Sequence, residues 1–307
     1  MPLQKLLYSK NGLSTRKLAK LLLAYEEGDR IPTVTELNEE IQLARGTVQN
    51  ALKLLQKSGA VTLESHGQSG TILVRRDVKK LLEIAGIQTI LGVMPLPYSK
   101  RYEGLATGLV ANVENQYDIP VSLAFMRGSR NRVSMVLSDR YDFAVISLYA
   151  AQRMIASGIG IRIVKRFGLH SYLSNHVAVF HDPDCRDIQD GMTVGVDLSS
   201  VDQKEMTEWL CRGKHVTYQN VGYTQVMQKV LSGEVDAAIW NMDEIQEKLY
   251  DASYKVLEFE EEKDTEAVIV VRKERRELAS LINSLIDTDL VLRNQKLVME
   301  GLLVPGY

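Results

Sequence analysis

The 307-residue sequence predicts an α/β protein in two parts: a small helical head ending in a β-hairpin, and a larger body in which strands alternate with helices. Three observations predict it. The order helix, helix, helix, hairpin is legible between residues 14 and 74. Short apolar runs then alternate with helical periodicity from Gln88 onward, the pattern of sheets wrapped by helices. The charge is also divided: residues 1–87 hold 13 Lys+Arg against 9 Asp+Glu, and the remainder 24 against 30.

The elements follow in order. Residues 14–27 read as the first helix, with Leu18, Leu21, Leu22 and Tyr25 at helical spacing. Ser14 or Thr15 can cap it, and Gly28 ends it. After Ile31-Pro32, a short helix starts at Thr33 or Thr35 and runs to Ile41. The next runs from about Arg45 to Ser58, with Val48, Ala51, Leu52 and Leu55 inward and Gly59 as its stop. Val61–Leu63 and Thr71–Val74 make a hairpin around His66-Gly67-Gln68-Ser69-Gly70. Residues 77–87 predict a linker helix, which divides the chain into domains 1–76 and 88–307.

In the body, strands are expected at 89–94, 121–126, 143–146, 161–167, 176–180, 193–196, 216–218, 237–240 and 268–271. Helices are expected at 99–115, 129–138, 149–157, 202–212, 223–232, 243–250 and 274–300. The alternation predicts parallel sheets.

Composition narrows the function classes. The formal net charge is −2, so the whole chain is no polyelectrolyte binder, but a mildly basic head suits nucleic acid. Two cysteines, Cys185 and Cys211, are too few for a disulfide framework. No apolar run approaches the ~20 residues needed to span a bilayer, and residues 1–16 lack the apolar core of a secretory signal. A cytoplasmic protein is expected. No G-x-S-x-G, P-loop or H-E-x-x-H occurs, so neither an enzyme nor a cofactor is expected. His170, His176, His181 and Cys185 match no tight ligand spacing, so no metal site is expected.

The stretch Gly28-Asp-Arg-Ile-Pro32, Glu36-Leu37, Arg45, Thr47-Val48, Ala51-Leu52, Leu55, Gly59, Leu63 and Gly67–Gly70 resembles the GntR-type winged helix-turn-helix in order and spacing. The whole chain resembles the YhfZ-type regulators, which join such a head to a two-lobed domain like the type 2 periplasmic binding proteins. The resemblance implies a transcription regulator that binds double-stranded DNA and senses a small-molecule effector. In a recognition helix, Arg45, Thr47, Gln49 and Asn50 sit in the first turn, which meets base edges in the major groove, with Lys53 one turn on. His66 and Gly67 form the wing tip, and Arg75 and Arg76 are candidate phosphate contacts. Gln42 stands where the family usually has Gly, and Ala44 where it usually has a capping Ser or Thr.

In a two-lobed binding fold, ligands lie at the C-terminal ends of strands, beside helix N-termini. Tyr98, Ser99, Ser147, Asp197, Ser199, Ser200, Trp240 and Asn241 occupy such positions and are the candidate ligand residues. Each also has a plainer role: Ser199 or Ser200 as a helix cap, Trp240 as core. Asp197 is a candidate for selecting an ammonium group. Arg127, Arg130 and Arg132 follow the second strand and read as a solvated face, with anion neutralisation as the alternative. A small polar or anionic metabolite and a homodimer are the expected partners, because one recognition helix reads only a few base pairs.

Overall fold

The computed structural model describes residues 10–67, 70–117 and 119–307. The chain divides into two compact units: residues 1–90 with 113–121 and 275–285, and residues 91–112 with 122–274 and 286–307.

The first unit holds the head. Helix α1 (Lys10–Leu22) is followed by a two-residue strand β1 (Arg30–Ile31), α2 (Val34–Ile41) and α3 (Arg45–Lys57). The hairpin β2 (Val61–Ser65) and β3 (Thr71–Arg76) then forms with β1 an antiparallel sheet in the order β1-β3-β2. Leu18, Leu22, Leu37, Val48, Leu55 and Leu73 are fully or almost fully buried and form the core. All but Leu73, which lies on β3, are residues whose helical spacing marks the inner faces. Helix α4 (Val78–Ala85) is capped by Asp77, whose carboxylate accepts from the Lys80 amide, and ends at Gly86. It packs on α1 with Leu81, Leu82, Ile84 and Ala85 buried.

The second unit is built on two five-stranded sheets. The first, in the order β5-β4-β6-β13-β7, comprises β4 (Ile90–Met94), β5 (Val121–Phe125), β6 (Phe143–Ser147), β7 (Ile161–Arg166) and β13 (Ala267–Arg272). The second, in the order β10-β9-β11-β8-β12, comprises β8 (His176–Phe180), β9 (Thr193–Val196), β10 (Thr217–Asn220), β11 (Ala237–Asn241) and β12 (Ser253–Val256). Helices α5 (Lys100–Tyr117), α6 (Ser129–Leu137) and α7 (Leu148–Ala156) follow strands of the first sheet. Helices α8 (Val201–Leu210), α9 (Val226–Leu231) and α10 (Met242–Lys248) follow strands of the second. Helix α11 (Arg276–Leu285), which belongs to the first unit, and α12 (Thr288–Met299), which belongs to the second, end the chain.

Both sheets are mixed, which corrects the expectation of parallel ones. β4 and β6 are parallel, as is β9 with both β10 and β11. However, β13 lies antiparallel between β6 and β7, and β8 lies antiparallel between β11 and β12. The cause is connectivity. The chain crosses to the second sheet after β7 and returns after β12, so each crossing strand enters its sheet against the run of its neighbours.

Two further differences have local causes. β12 is an edge strand with exposed Tyr254, Lys255 and Val256, and it lacks the alternation that marks a half-buried strand. The expected C-terminal helix is two, because the Asp287 carboxylate accepts from the Asp289 and Leu290 amides and starts α12 afresh. Among the described residues, no helix is long and apolar enough to cross a membrane.

Candidate functional site

The head presents one face of α3. Arg45, Gln49, Asn50 and Lys53 are exposed along it, Thr47 is half-buried, and Val48, Ala51 and Leu55 point inward. The guanidinium of Arg45 donates to Thr35 Oγ1 at 2.8 Å, which ties the first turn of α3 to the start of α2. Helix α2 begins with a reciprocal cap: Thr33 Oγ1 accepts from the Glu36 amide at 3.3 Å, and the Glu36 carboxylate accepts from the Thr33 amide at 2.6 Å. These bonds hold the Glu36 carboxyl below its usual range. Ala44 stands at the N-cap of α3 with no side-chain bond. Gln42 adopts φ 51° and ψ 49°, the left-handed conformation that explains why glycine is usual there.

In the wing, His66 and Gly67 are exposed, and Gln68 and Ser69 lie outside the described residues. The His66 amide donates to the Gly70 carbonyl at 2.8 Å. Arg76 is not available for phosphate: its guanidinium donates to the carbonyls of Tyr25 at 2.7 Å and Leu23 at 3.3 Å, and pairs with Glu26. The exposed Arg75 keeps that candidacy.

The second unit carries a cleft between its two sheets. A cavity of about 60 Å³ there is lined from the first sheet by Pro95, Leu96, Tyr98, Tyr102, Arg127, Gly128, Ser129 and Arg132. Asp197, Ser200, Asp202, Gln203 and Tyr223 line it from the second, with Tyr172, Leu173 and His176 at the crossing between them. The lobes also touch directly. Ser147 Oγ donates to Asp202 Oδ1 at 2.5 Å, and the Tyr149 hydroxyl donates to Glu205 at 2.7 Å. Arg101 pairs with Asp243 at 3.0 Å. Tyr98 stacks on Tyr223 with ring centres 4.7 Å apart, and Tyr223 stacks on Trp240 at 4.2 Å. Gly128 faces Ser199: a Cβ there would lie 2.7 Å from the Ser199 Cβ, and its φ of +80° already favours glycine.

Arg132 dominates the electrostatics. It is 3% exposed. Its Nε donates to the Val145 carbonyl at 3.0 Å, Nη1 to the Met126 carbonyl at 2.8 Å and Nη2 to the Tyr172 hydroxyl at 2.9 Å. All three partners are neutral, and no carboxylate lies within 4 Å of it among the described residues. The reading of Arg132 as a solvated residue is therefore corrected: residues 129, 132, 133 and 136 share the buried face of α6. Arg127 is half-exposed at 4.0 Å from Asp197, and Arg130 is exposed. The Tyr98 hydroxyl is buried with no hydrogen-bond partner among the described residues, and burial first of all pushes it up to about 12. Asp202 is pushed up to about 6, chiefly by burial, against the opposing bond from Ser147 and the field of His176. His176 Nδ1 lies 2.6 Å from Asp264 Oδ2, which leaves Nε2 without a protein partner among the described residues.

The strand-end residues thus divide. Tyr98, Asp197 and Ser200 line the cavity. Ser199 holds Asp197, donating Oγ and its amide to Oδ1 at 2.6 and 2.9 Å. The Tyr223 amide, from the segment after β10, donates to Oδ2 at 3.1 Å, so Asp197 is held from two loops. Ser147 is wholly buried as the N-cap of α7 and the latch to Asp202. Ser99 is buried beneath the start of α5, Trp240 backs the aromatic stack, and Asn241 caps α10. Sequence reasoning missed Asp202, Gln203, His176, Tyr102, Tyr172 and Tyr223. They lie in the first turn of helices, at the start of a strand or in loops, away from the C-terminal ends of strands.

Known proteins share both parts. Residues 77–307 match the model of the YhfZ C-terminal domain, and residues 26–73 match a helix-turn-helix domain. The uncharacterized protein YhfZ of Escherichia coli is 33% identical over 301 residues, 97% of this chain and 98% of that protein. The crystal structure of YhfZ from Shigella flexneri is similar with a TM-score of 0.62 and 32% identity, over 75% of this chain and 97% of that one. An amino acid ABC transporter substrate-binding protein from Streptococcus pneumoniae, bound to L-arginine, shares the fold at 14% identity and a TM-score of 0.50, over 71% of this chain and 95% of that one. The second unit accordingly has the two-lobed architecture of type 2 binding proteins. Matched along most of its length by one family model and one relative, the chain belongs to the YhfZ family.

Proposed function

We propose that this protein is a cytoplasmic transcription regulator whose GntR-like winged helix binds operator DNA and whose cleft binds a small polar or anionic effector. The observation that carries the reading is Arg132, a buried guanidinium on the wall of a cavity between two lobes, whose three hydrogen-bond partners among the described residues are all neutral. A buried unpaired charge costs stability unless something else meets it, and a bound effector supplies that partner. Arg45, Thr47, Gln49, Asn50 and Lys53 on α3, with His66 and Gly67 on the wing, contact the operator. Two copies act together on two half-sites. The effector regulates by preferring one lobe arrangement, since equal affinity for two states shifts nothing.

One observation favours a second reading, an enzyme of binding-protein fold. The His176–Asp264 pair borders the cavity in the arrangement of a general base and its orienting carboxylate. One experiment separates the two. Fluorescence anisotropy of DNA from the protein's own promoter region is followed while small metabolites are added, and each hit is then recovered and analysed. A regulator changes DNA affinity and returns the ligand intact. A ligand consumed without effect on DNA binding would sink the regulator reading.

A further inference from the structure

Several cations of the head are held by the protein itself. Arg16 donates to the Ala85 carbonyl at 2.8 Å, Arg76 to the Tyr25 and Leu23 carbonyls, and Lys80 pairs with Asp77 at 3.4 Å. Arg45 differs. Its guanidinium makes one hydrogen bond among the described residues, from Nη2 to Thr35 Oγ1 at 2.8 Å, and that partner is neutral. Four of its five N–H groups are left without a protein partner among those residues.

The bond joins the two helices of the helix-turn-helix. Thr35 stands in the first turn of α2, two residues after the N-cap Thr33, and Arg45 opens α3. The start of α2 is itself fixed, because Thr33 and Glu36 cap each other. Thr35 therefore sits on backbone that the cap holds in place. Both ends of the bond are exposed, and so is Gly46 beside Arg45, where a Cβ would meet nothing within 4 Å. The pair thus lies on an open surface.

Holding one N–H of a guanidinium sets the direction of its planar fork. The remaining N–H groups suffice for the two-donor contact with O6 and N7 of guanine. An arginine already held also loses less freedom when it meets a base than one that samples many rotamers. Thr35 Oγ1 accepts in this bond, so its own proton stays available for a phosphate oxygen.

We infer that Thr35, which lies outside α3, is a positioning residue for sequence reading: it aims the Arg45 fork at one guanine, so that α2 helps set the base preference of α3. This deepens the operator-binding reading above and rests on it. Loss of the bond leaves the charge of Arg45 in place but frees its fork. Attraction to DNA in general therefore changes little, while discrimination among bases falls.

Selection of bound sequences from a pool of random DNA duplexes by the full chain, at fixed salt, reads this without a known operator. The parent is expected to enrich a motif containing a guanine that Arg45→Ala no longer selects. Thr35→Val, which keeps the shape and removes the acceptor, should relax the preference at that same position about fivefold. The other positions of the motif, and affinity for unselected DNA, should be unchanged. Thr35→Ala should behave like Thr35→Val, and Thr35→Ser, which keeps the hydroxyl, should retain the parent's preference. A threonine that only stabilised the head would instead weaken binding to all sequences alike. The proposal is overturned if Thr35→Val and Thr35→Ala select that guanine as sharply as the parent, if they weaken every position equally, or if Arg45→Ala alters no position. Those outcomes leave operator binding standing. If the parent enriches no sequence, the operator reading itself fails, and the role of Thr35 with it.

Discussion

Arg132 supports the fold as well as the cleft, because its three bonds satisfy two carbonyls and a buried tyrosine hydroxyl. Arg132→Leu leaves those acceptors unpaired and should cost about 2–4 kcal/mol in urea unfolding. Asp202 gives a pH signature. Burial raises its pKa in the fold to about 6, above the 3.8 of a solvated aspartate. The folded state thus holds the proton more tightly, and this group's contribution is fully present below pH 4 and lost as pH rises through 6. Asp202→Asn should gain on the parent as pH rises from 4 to 7, by up to about 3 kcal/mol, as checked by unfolding curves across that range. A curve that parallels the parent's would remove the assignment. At this scale the sequence was partly legible. Tyr98, Asp197 and Ser200 follow from the rule that ligands sit at strand ends. Arg132 was within reach of helical periodicity, since Val133 and Val136 mark its face as buried. Asp202 and His176 were not, because their burial depends on how two sheets face each other.

Helices α2 and α3 show how local chemistry sets the geometry of the exposed face of the head. The Thr33–Glu36 box starts α2 firmly, while α3 starts without a side-chain cap. Ala44→Ser should stabilise the protein by about 1 kcal/mol. Gln42→Gly relieves a left-handed backbone and should add about 1 kcal/mol. Thermal unfolding of the two variants checks both. Most elements were legible because their apolar spacing is dictated by a buried face, as Leu18, Leu22, Val48 and Leu55 show. The misses are elements whose signal is weaker. β12 has no buried face to pattern it, and the break before α12 rests on one capping aspartate rather than on glycine or proline. Strand direction was misjudged because composition records whether a strand is buried, not which way it runs.

At the scale of the whole molecule, the basic head and the cleft-bearing unit predict separable losses. Lys53→Ala should weaken promoter binding and reduce its salt dependence by about one counter-ion per site, without altering effector affinity. Arg45→Ala should cost about 1–3 kcal/mol of operator affinity if it reads a guanine, with anisotropy at fixed salt as the measurement. Sedimentation with and without promoter DNA should find a dimer, and a monomer in both conditions would contradict the two-half-site arrangement. The route of the chain through its sheets has one more consequence. Strands β8 to β12 are consecutive, whereas the first sheet needs β13, made only after the second sheet is complete. During synthesis the second lobe is thus available to form as a unit while β6 and β7 still await the strand that joins them. The lobe begun first is therefore the one finished later, and the cleft between the two cannot be complete before β13 is in place.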